Sequence, residues 1–270
     1  MAAVLANWGG YYSQRVYLSE ARRLGLDIRP PHVSYSGRNF TYASGPLGAK
    51  ALFMGLDQVR DLTRRTIERI IRFRPFKSLD DFMTRVDPRL QEADNLVRVG
   101  ALEGFGTIPS LLSHMEIGKW QAGQPSLFDF QDAGREIKPE DWAVEKKVAA
   151  QQELLGTSLE AHPLELVAGK LRLAGAISTI EAAGRVGQRV TVAGIRQSGH
   201  RSRTTKGETM MFMTLEDLSG MLDVVLFPDV YRQARDVILS SGPVLLTGIV
   251  EMDSSRSEPL LRVESVVRIR

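Results

Sequence analysis

The sequence predicts a multidomain α + β chain, a helical unit followed by a five-stranded β-barrel, and three observations predict it. Apolar residues recur at helical spacing in short segments from Gly55 to about Met115. From Arg189 onward the period changes to two. Between these regimes, residues 119–143 keep no stable period and contain Gly, Pro, Gln and acidic residues, as a linker does. With 270 residues and 43% apolar composition, the chain can bury a sizeable core and is long enough for about two domains.

Composition narrows the function classes. There is no cysteine, which excludes disulfides and thiolate metal sites and fits a reducing, cytoplasmic setting. The four histidines, His32, His114, His162 and His200, keep no ligand spacing, so no metal site is expected. No run approaches the roughly 18 apolar residues of a membrane span, and the N-terminus lacks a signal pattern; no membrane partner is expected. The net charge of +3 is unevenly spread. Residues 1–120 carry 17 Lys/Arg against 12 Asp/Glu, residues 121–165 carry 4 against 9, and residues 166–270 carry 14 against 11. Two basic modules flanking an acidic connector suggest a polyanionic partner.

The first element is a helix, "YYSQRVYLSEARRLGL", in which Tyr17, Leu18, Ala21 and Leu24 keep helical spacing until paired prolines forbid continuation. An extended exit follows through "RPPHVSYSG". From Gly55, short helices alternate with tight connections. "LDQVRDLTRRTIERIIRFR" places Ile67, Ile70 and Ile71 on one face and Arg65, Arg69 and Arg72 on another, and Pro75 ends it. "SLDDFMTRV" opens with Ser78 as N-cap and Asp80 and Asp81 in the first turn; helix-start chemistry accounts for this carboxylate pair. "DNLVRVGALEGFGTIPSLLSHM" is a helix, a Gly-rich turn and a second helix beginning near Thr107 or Pro109. "EKKVAAQQELLGTSLEAHPLELV" is helical to about Leu155, broken by Gly156 and again by Pro163.

Five strands follow: "RVTVAGIR", "ETMMFMTLED", "MLDVVLF", "PVLLTGIVEM" and "PLLRVESVVRI". One short helix, "DVYRQARDVILSS", lies between the third and fourth. Five strands with a helix in that place are the OB-fold order.

Two places could carry recognition chemistry. "GFG", at Gly104–Gly106, resembles the turn of a helix-hairpin-helix. Its glycines let the backbone turn tightly, and the helix starting near Thr107 presents unpaired N–H groups at its positive end, where a DNA phosphate can sit. An ordinary helix connection would use the same glycines. The equivalent place in the preceding helix pair is "RDLT", where Asp61 and Thr63 replace both glycines; Asp61 would repel a phosphate, and Arg64, Arg65 and Arg69 could compensate or form a solvated face. In the barrel, "QSGHRSRTTKGE" reads as a loop between strands one and two, crowded with His200, Arg201, Arg203 and Lys206. It edges the face on which OB-folds bind single strands. Met211, Phe212 and Met213 on strand two and Phe227 on strand three are candidate stacking platforms, about half of which alternation sends inward. A protein-docking barrel is the alternative. No Walker loop, Ser/His/Asp order or metal-ligand cluster emerges, and the pairs Glu140/Asp141 and Glu216/Asp217 fall in the linker and near a strand end. No catalytic residue is assigned.

With these residues assembled, the chain resembles the C-terminal region of the bacterial DNA polymerase III alpha subunit, of the replicative or error-prone type. "YLSEARRLGLDIRPPHVSYS" resembles the end of the fingers region, with His32 and Ser34 where the family has Asp and Asn. "MGLDQVRDL…IERIIRFR-PFKSLDDFMTRVD" and "NLVRVGALEGFG" resemble its tandem helix-hairpin-helix domain, and "ELLGTSLEAHPLE" resembles the segment before its OB domain. The resemblance implies five segments: a fingers-like end (1–45), a tandem helix-hairpin-helix domain (46–118), a linker (119–143), a connecting helix and linker (144–180), and a five-stranded OB-fold domain (181–270). It implies that Gly104, Gly106, Thr107, Arg64, Arg65 and Arg69 meet primer–template duplex, and that Arg201, Arg203, Lys206 and Phe212 meet single-stranded template. The family's catalytic aspartates lie in a palm domain that these residues do not include. No cofactor is therefore expected here, Mg²⁺ belonging to the palm, and the chain alone is expected to be inactive. The remaining polymerase domains or other replisome subunits are expected partners. "QPSLF" resembles the peptide by which bacterial polymerases engage the sliding clamp, with Gln124, Leu127 and Phe128 as its anchors. The competing readings are a free-standing OB-fold protein for single-stranded DNA or RNA, and an adaptor that binds only protein.

Overall fold

The computed structural model describes residues 14–45, 50–117, 140–240, 242–253 and 257–269. The chain divides into two compact units, Met1–Ala161 and His162–Arg270. Each has its own apolar core.

In the first unit, helix α1 (Gln14–Arg23) precedes a small sheet of β1 (Ile28–Arg29), β2 (Thr41–Ser44) and β3 (Lys50–Phe53), in the order β1-β3-β2. β3 is the central strand, parallel to β1 and antiparallel to β2. Leu18 and Ala21 of α1 pack with Ile28, Phe40, Leu52 and Met54 in one buried cluster. The sequence shows only an extended exit here, because strands of two to four residues are too short to display a period and their pairing is not legible.

A short 3-10 turn (Leu56–Gln58) leads into the helices α2 (Arg64–Phe73), α3 (Leu79–Val86), α4 (Leu90–Arg98), α5 (Ile108–Ile117) and α6 (Val144–Leu155). Their starts have local causes. The Thr63 hydroxyl accepts from the Thr66 N–H, and the Ser78 hydroxyl from the Asp81 N–H, each satisfying an otherwise orphaned amide. Helix α2 ends one residue before Arg74 and Pro75, α3 ends on Asp87 in the left-handed region (φ 48°), and α6 ends on Gly156 (φ 74°). Apolar stripes converge on one core in which Leu56, Ile70, Phe82, Val86, Leu96 and Leu102 are almost wholly buried and Leu154 of α6 also takes part.

The second unit opens with three short helices, α7 (Pro163–Leu166), α8 (Ala168–Leu173) and α9 (Thr179–Ala183). Pro163 starts α7 rather than breaking a helix, at a position where its missing N–H costs nothing. The strands β4 (Arg189–Arg203), β5 (Thr209–Glu216), β6 (Met221–Leu226), β7 (Val244–Asp253) and β8 (Glu258–Arg268) close into a barrel in the order β4-β5-β6-β8-β7. Helix α10 (Pro228–Leu239) lies between the third and fourth barrel strands. β6 and β8 pair parallel and every other neighbouring pair is antiparallel. This is the OB-fold topology. Val192, Met213, Leu215, Val224, Leu246 and Leu261 fill the interior, and Tyr231, Ala234 and Ile238 of α10 join the same core at helical spacing. Gly248 sits at the β7–β8 register shift, where a side chain would collide with the Arg262 carbonyl.

Two expectations need correction. The first barrel strand does not stop at Arg196 but runs to Arg203, paired with β5 out to Arg203↔Thr209. Polar side chains hide it in the sequence, because a hairpin arm solvated on both faces carries no hydrophobic alternation. Phe227 lies beyond β6, as the N-cap residue of α10.

Candidate nucleic-acid interface

The second hairpin joins α4 to α5. Gly104 takes φ 95°, a conformation that costs a side-chain-bearing residue steric strain. A Cβ at Gly104 would meet nothing within 4 Å, so its requirement is backbone angle and not space. Gly106 has no such angle, and a Cβ there would touch Leu111 at an ordinary 3.4 Å. Phe105 between them packs against the helical core. The Thr107 hydroxyl accepts from the Ser110 N–H at 3.3 Å.

An oxyanion already sits at this helix start, and it belongs to the chain. Asp141, in the stretch read as linker, accepts through Oδ1 from the N–H groups of Ile108 (3.0 Å) and Trp142 (2.9 Å). Its Oδ2 pairs with Lys147 at 2.7 Å. Burial works to raise the Asp141 carboxyl, but Lys147 and the two amides outweigh it and hold the group below its ordinary range. The positive end of α5 is thus a seat for an anionic oxygen.

The first hairpin repeats this backbone without glycine. Asp61 has φ 60°, in the place of Gly104, and Leu62 packs on the core as Phe105 does. Here the carboxylate is Glu92, 3% exposed. It accepts from the Thr63 N–H (2.8 Å), the Arg89 N–H (2.8 Å) and the Thr66 hydroxyl (2.9 Å), tying the start of α2 to the start of α4. Burial raises the Glu92 carboxyl, and these hydrogen bonds overcome that and lower it. Asn95, also buried, donates to the Arg60 carbonyl at 2.7 Å. A carboxylate this enclosed makes the first hairpin an internal joint.

The arginines of α2 are not equivalent. Arg64 pairs with Glu68 (2.6 Å) and Arg65 with Asp87 (2.8 Å), both at exposed positions where an ion pair exchanges readily for a phosphate. Arg69 instead donates to the Arg85 carbonyl (2.9 Å) and lies 5.5 Å from the Phe73 ring centroid, joining α2 to α3.

In the barrel, the His200 and Phe212 rings stack at 5.3 Å with an interplanar angle of 14°. They line a groove with Thr214, Asp223 and Glu258. Met211 and Met213 are buried in the core, and Phe212 between them carries its ring to the groove. Arg201 pairs with Met211 in the ladder, and Arg203 with Thr209, which puts both arginines on the face opposite the rings. The sequence suggests these cations and Phe212 along one binding face; the longer strand separates them. Lys206 sits in the turn at the hairpin tip. Gln124, Leu127 and Phe128 lie outside the described residues. Sequence reasoning passes over Glu92 and the capping role of Asp141, whose partners are distant in the chain. It also passes over Tyr231, Arg232 and Arg235, although the i, i+3 arginine spacing in "YRQAR" is visible.

Among the described residues, no group of three or more His, Cys, Asp or Glu side chains could hold a metal ion, and no helix is long and apolar enough to cross a membrane. The architecture is that of a helix-hairpin-helix unit followed by an OB-fold barrel. Residues 25–108 match the helix-hairpin-helix motif family. The chain is 29% identical to the DNA polymerase III subunit alpha of Bacillus subtilis (strain 168), over 86% of this chain and 22% of that protein. It is 30% identical to an error-prone DNA polymerase of Pseudomonas aeruginosa, over 92% of this chain and 24% of that protein. The chain is a homologue of the bacterial DNA polymerase III alpha subunits and error-prone DNA polymerases, and spans less than a quarter of the length of these relatives. Among solved structures, it resembles the SSB domain of a Synechococcus sp. protein (17% identical, TM-score 0.26, covering 29% of this chain and 91% of that one). It also resembles asparaginyl-tRNA synthetase from Pyrococcus horikoshii (21% identical, TM-score 0.29, covering 35% and 22%). At these TM-scores the likenesses carry no weight, and the OB-fold rests on the barrel's own strand order.

Proposed function

We propose that the chain is the DNA-handling, clamp-tethering C-terminal part of a bacterial DNA polymerase III alpha subunit. The observation that carries this reading is the extent of the relatives' match: 86–94% of the chain, across both units. A free-standing OB-fold protein would match over the barrel alone. In this reading the second hairpin holds a backbone phosphate of primer–template duplex. Gly104 sets the turn, the amides at the start of α5 meet the phosphate in place of Asp141, and Arg64 and Arg65 add exchangeable charge. The first hairpin, closed by Glu92, holds the pair together. The His200–Phe212 rings offer a stacking surface to bases of the single-stranded template, while the carboxylates in their groove keep the phosphodiester outside it. The test is affinity for primed duplex and for single strands across a salt series. Duplex binding independent of sequence and falling steeply with salt supports the reading. Equal duplex binding by wild type and Gly104→Val would sink the hairpin's part in it.

The reading includes the peptide Gln124–Phe128 as a tether to the sliding clamp. Leu127 and Phe128 can insert into an apolar pocket, each worth roughly 1.5–3 kcal/mol on full burial, with Gln124 hydrogen-bonding at its rim. Replacing Leu127 and Phe128 together with alanine should abolish clamp binding and leave the melting temperature unchanged. A large fall in melting temperature with clamp binding retained would assign the cluster to the chain's own core.

A further inference from the structure

The face of the β4–β5 hairpin opposite the ring pair has chemistry of its own. Arg201 of β4 and Arg232 and Arg235 of α10 line one pocket with Tyr231 and Glu208. Tyr231 is 5% exposed, and its hydroxyl is buried without a hydrogen-bond partner. A buried phenol in that state is worse for the fold than a phenylalanine of the same shape, because its O–H has given up water for nothing. The anions already present hold Arg232 loosely: it lies 3.6 Å from Glu208 and 3.7 Å from Asp229, and both pairs are largely exposed. The pocket also adjoins the first turn of α10, a helix of 12 residues whose N-cap Phe227 supplies no side-chain acceptor.

We propose that this pocket is a phosphate-binding seat, separate from the stacking groove, in which Arg201, Arg232 and Arg235 neutralise the anion and the Tyr231 hydroxyl donates to one of its oxygens. Guanidinium groups suit the tetrahedral oxyanion, and a phosphate whose oxygens can meet several of them at once outcompetes the loosely paired carboxylates of Glu208 and Asp229. The phosphate could belong to a nucleic-acid backbone or to a free phosphate compound, since the seat recognises the group they share. Because it stands on other residues and another face, the seat does not depend on the ring pair binding bases.

The test uses the full chain, with calorimetric titration of inorganic phosphate, pyrophosphate and an unlabelled oligothymidylate. Tyr231→Phe should fold as well as wild type and bind pyrophosphate about five-fold more weakly, the effect of removing one hydrogen bond. Arg235→Ala should weaken binding about ten-fold or more, the effect of removing a charge-assisted partner. Glu208→Gln should bind more tightly, and Phe212→Ala should leave pyrophosphate binding unchanged. If Arg235→Ala weakens the oligonucleotide as much as pyrophosphate, the phosphate comes from a nucleic-acid backbone; if only pyrophosphate or phosphate responds, it comes from a free compound. Either result supports the seat. It is overturned if wild type binds neither anion at millimolar concentration, or if Tyr231→Phe and Arg235→Ala both bind pyrophosphate as wild type does.

Discussion

Asp61 and Gly104 stand at corresponding points of two hairpins, both with left-handed backbone, yet their substitution should have opposite effects. Gly104→Val forces a β-branched residue to positive φ and should lower stability by about 1–2 kcal/mol while weakening duplex binding. Asp61→Gly relieves a milder strain and should leave duplex binding unchanged; denaturant titration and anisotropy read both. At Asp141 the expected change is a gain. Asp141→Asn keeps the shape but removes the charge that occupies the start of α5, so duplex affinity should rise roughly two- to five-fold at low salt. An unchanged affinity would mean that phosphate never uses that seat. Glu92 has a pH signature. Its carboxyl is lowered in the folded chain, so its contribution is complete above the ordinary glutamate pKa of about 4.3 and is lost as pH falls through the folded value. Glu92→Gln should therefore cost stability at pH 7 and narrow its gap to wild type below about pH 4, measured by urea melts at each pH.

The elements with a strong local cause are legible in the sequence. The helix start at Ser78, the stop before Pro75 and the turn at Gly156 each depend on residues within four positions of one another. The order of five barrel strands with a helix before the fourth follows from period alone. What escapes is set by distant partners or by polar surface. In the small sheet, β1 pairs with β3 across more than 20 residues. The outer arm of β4 has its pattern dictated by pairing rather than by burial. In the candidate site, Gly104 can be read from its sequence neighbours, but the carboxylates at the two helix starts come from 29 and 33 residues away. The same arm changes what a triple substitution tests. Arg201, Arg203 and Lys206 replaced together by alanine should reduce the salt slope for single-strand binding by roughly one unit for each phosphate no longer neutralised. An unchanged slope on a pyrimidine strand would favour a protein-docking barrel.

At the scale of the whole molecule, two units with separate cores predict two unfolding transitions, and point changes should sort between them. Asp217 anchors only the second. It accepts from the Thr179 N–H and hydroxyl, the Ser219 N–H and hydroxyl, and the Gly220 N–H, all at 2.7–2.8 Å. Asp217→Asn should lower the barrel's calorimetric transition by roughly 2–3 kcal/mol and leave the helical unit's transition in place. The barrel also hands one strand from partner to partner. β4 pairs with β7 only as far as Gly194 and with β5 from Ile195 to Arg203, so among the described residues the far side of the outer arm carries no ladder. An arm with unused amides and carbonyls is a template on which another copy can add a strand, and charges there discourage that growth. The cations of the hairpin are thus also a guard against fibre-like self-association. Their removal should shorten the protein's shelf life in solution, a loss separate from any change in what the hairpin binds.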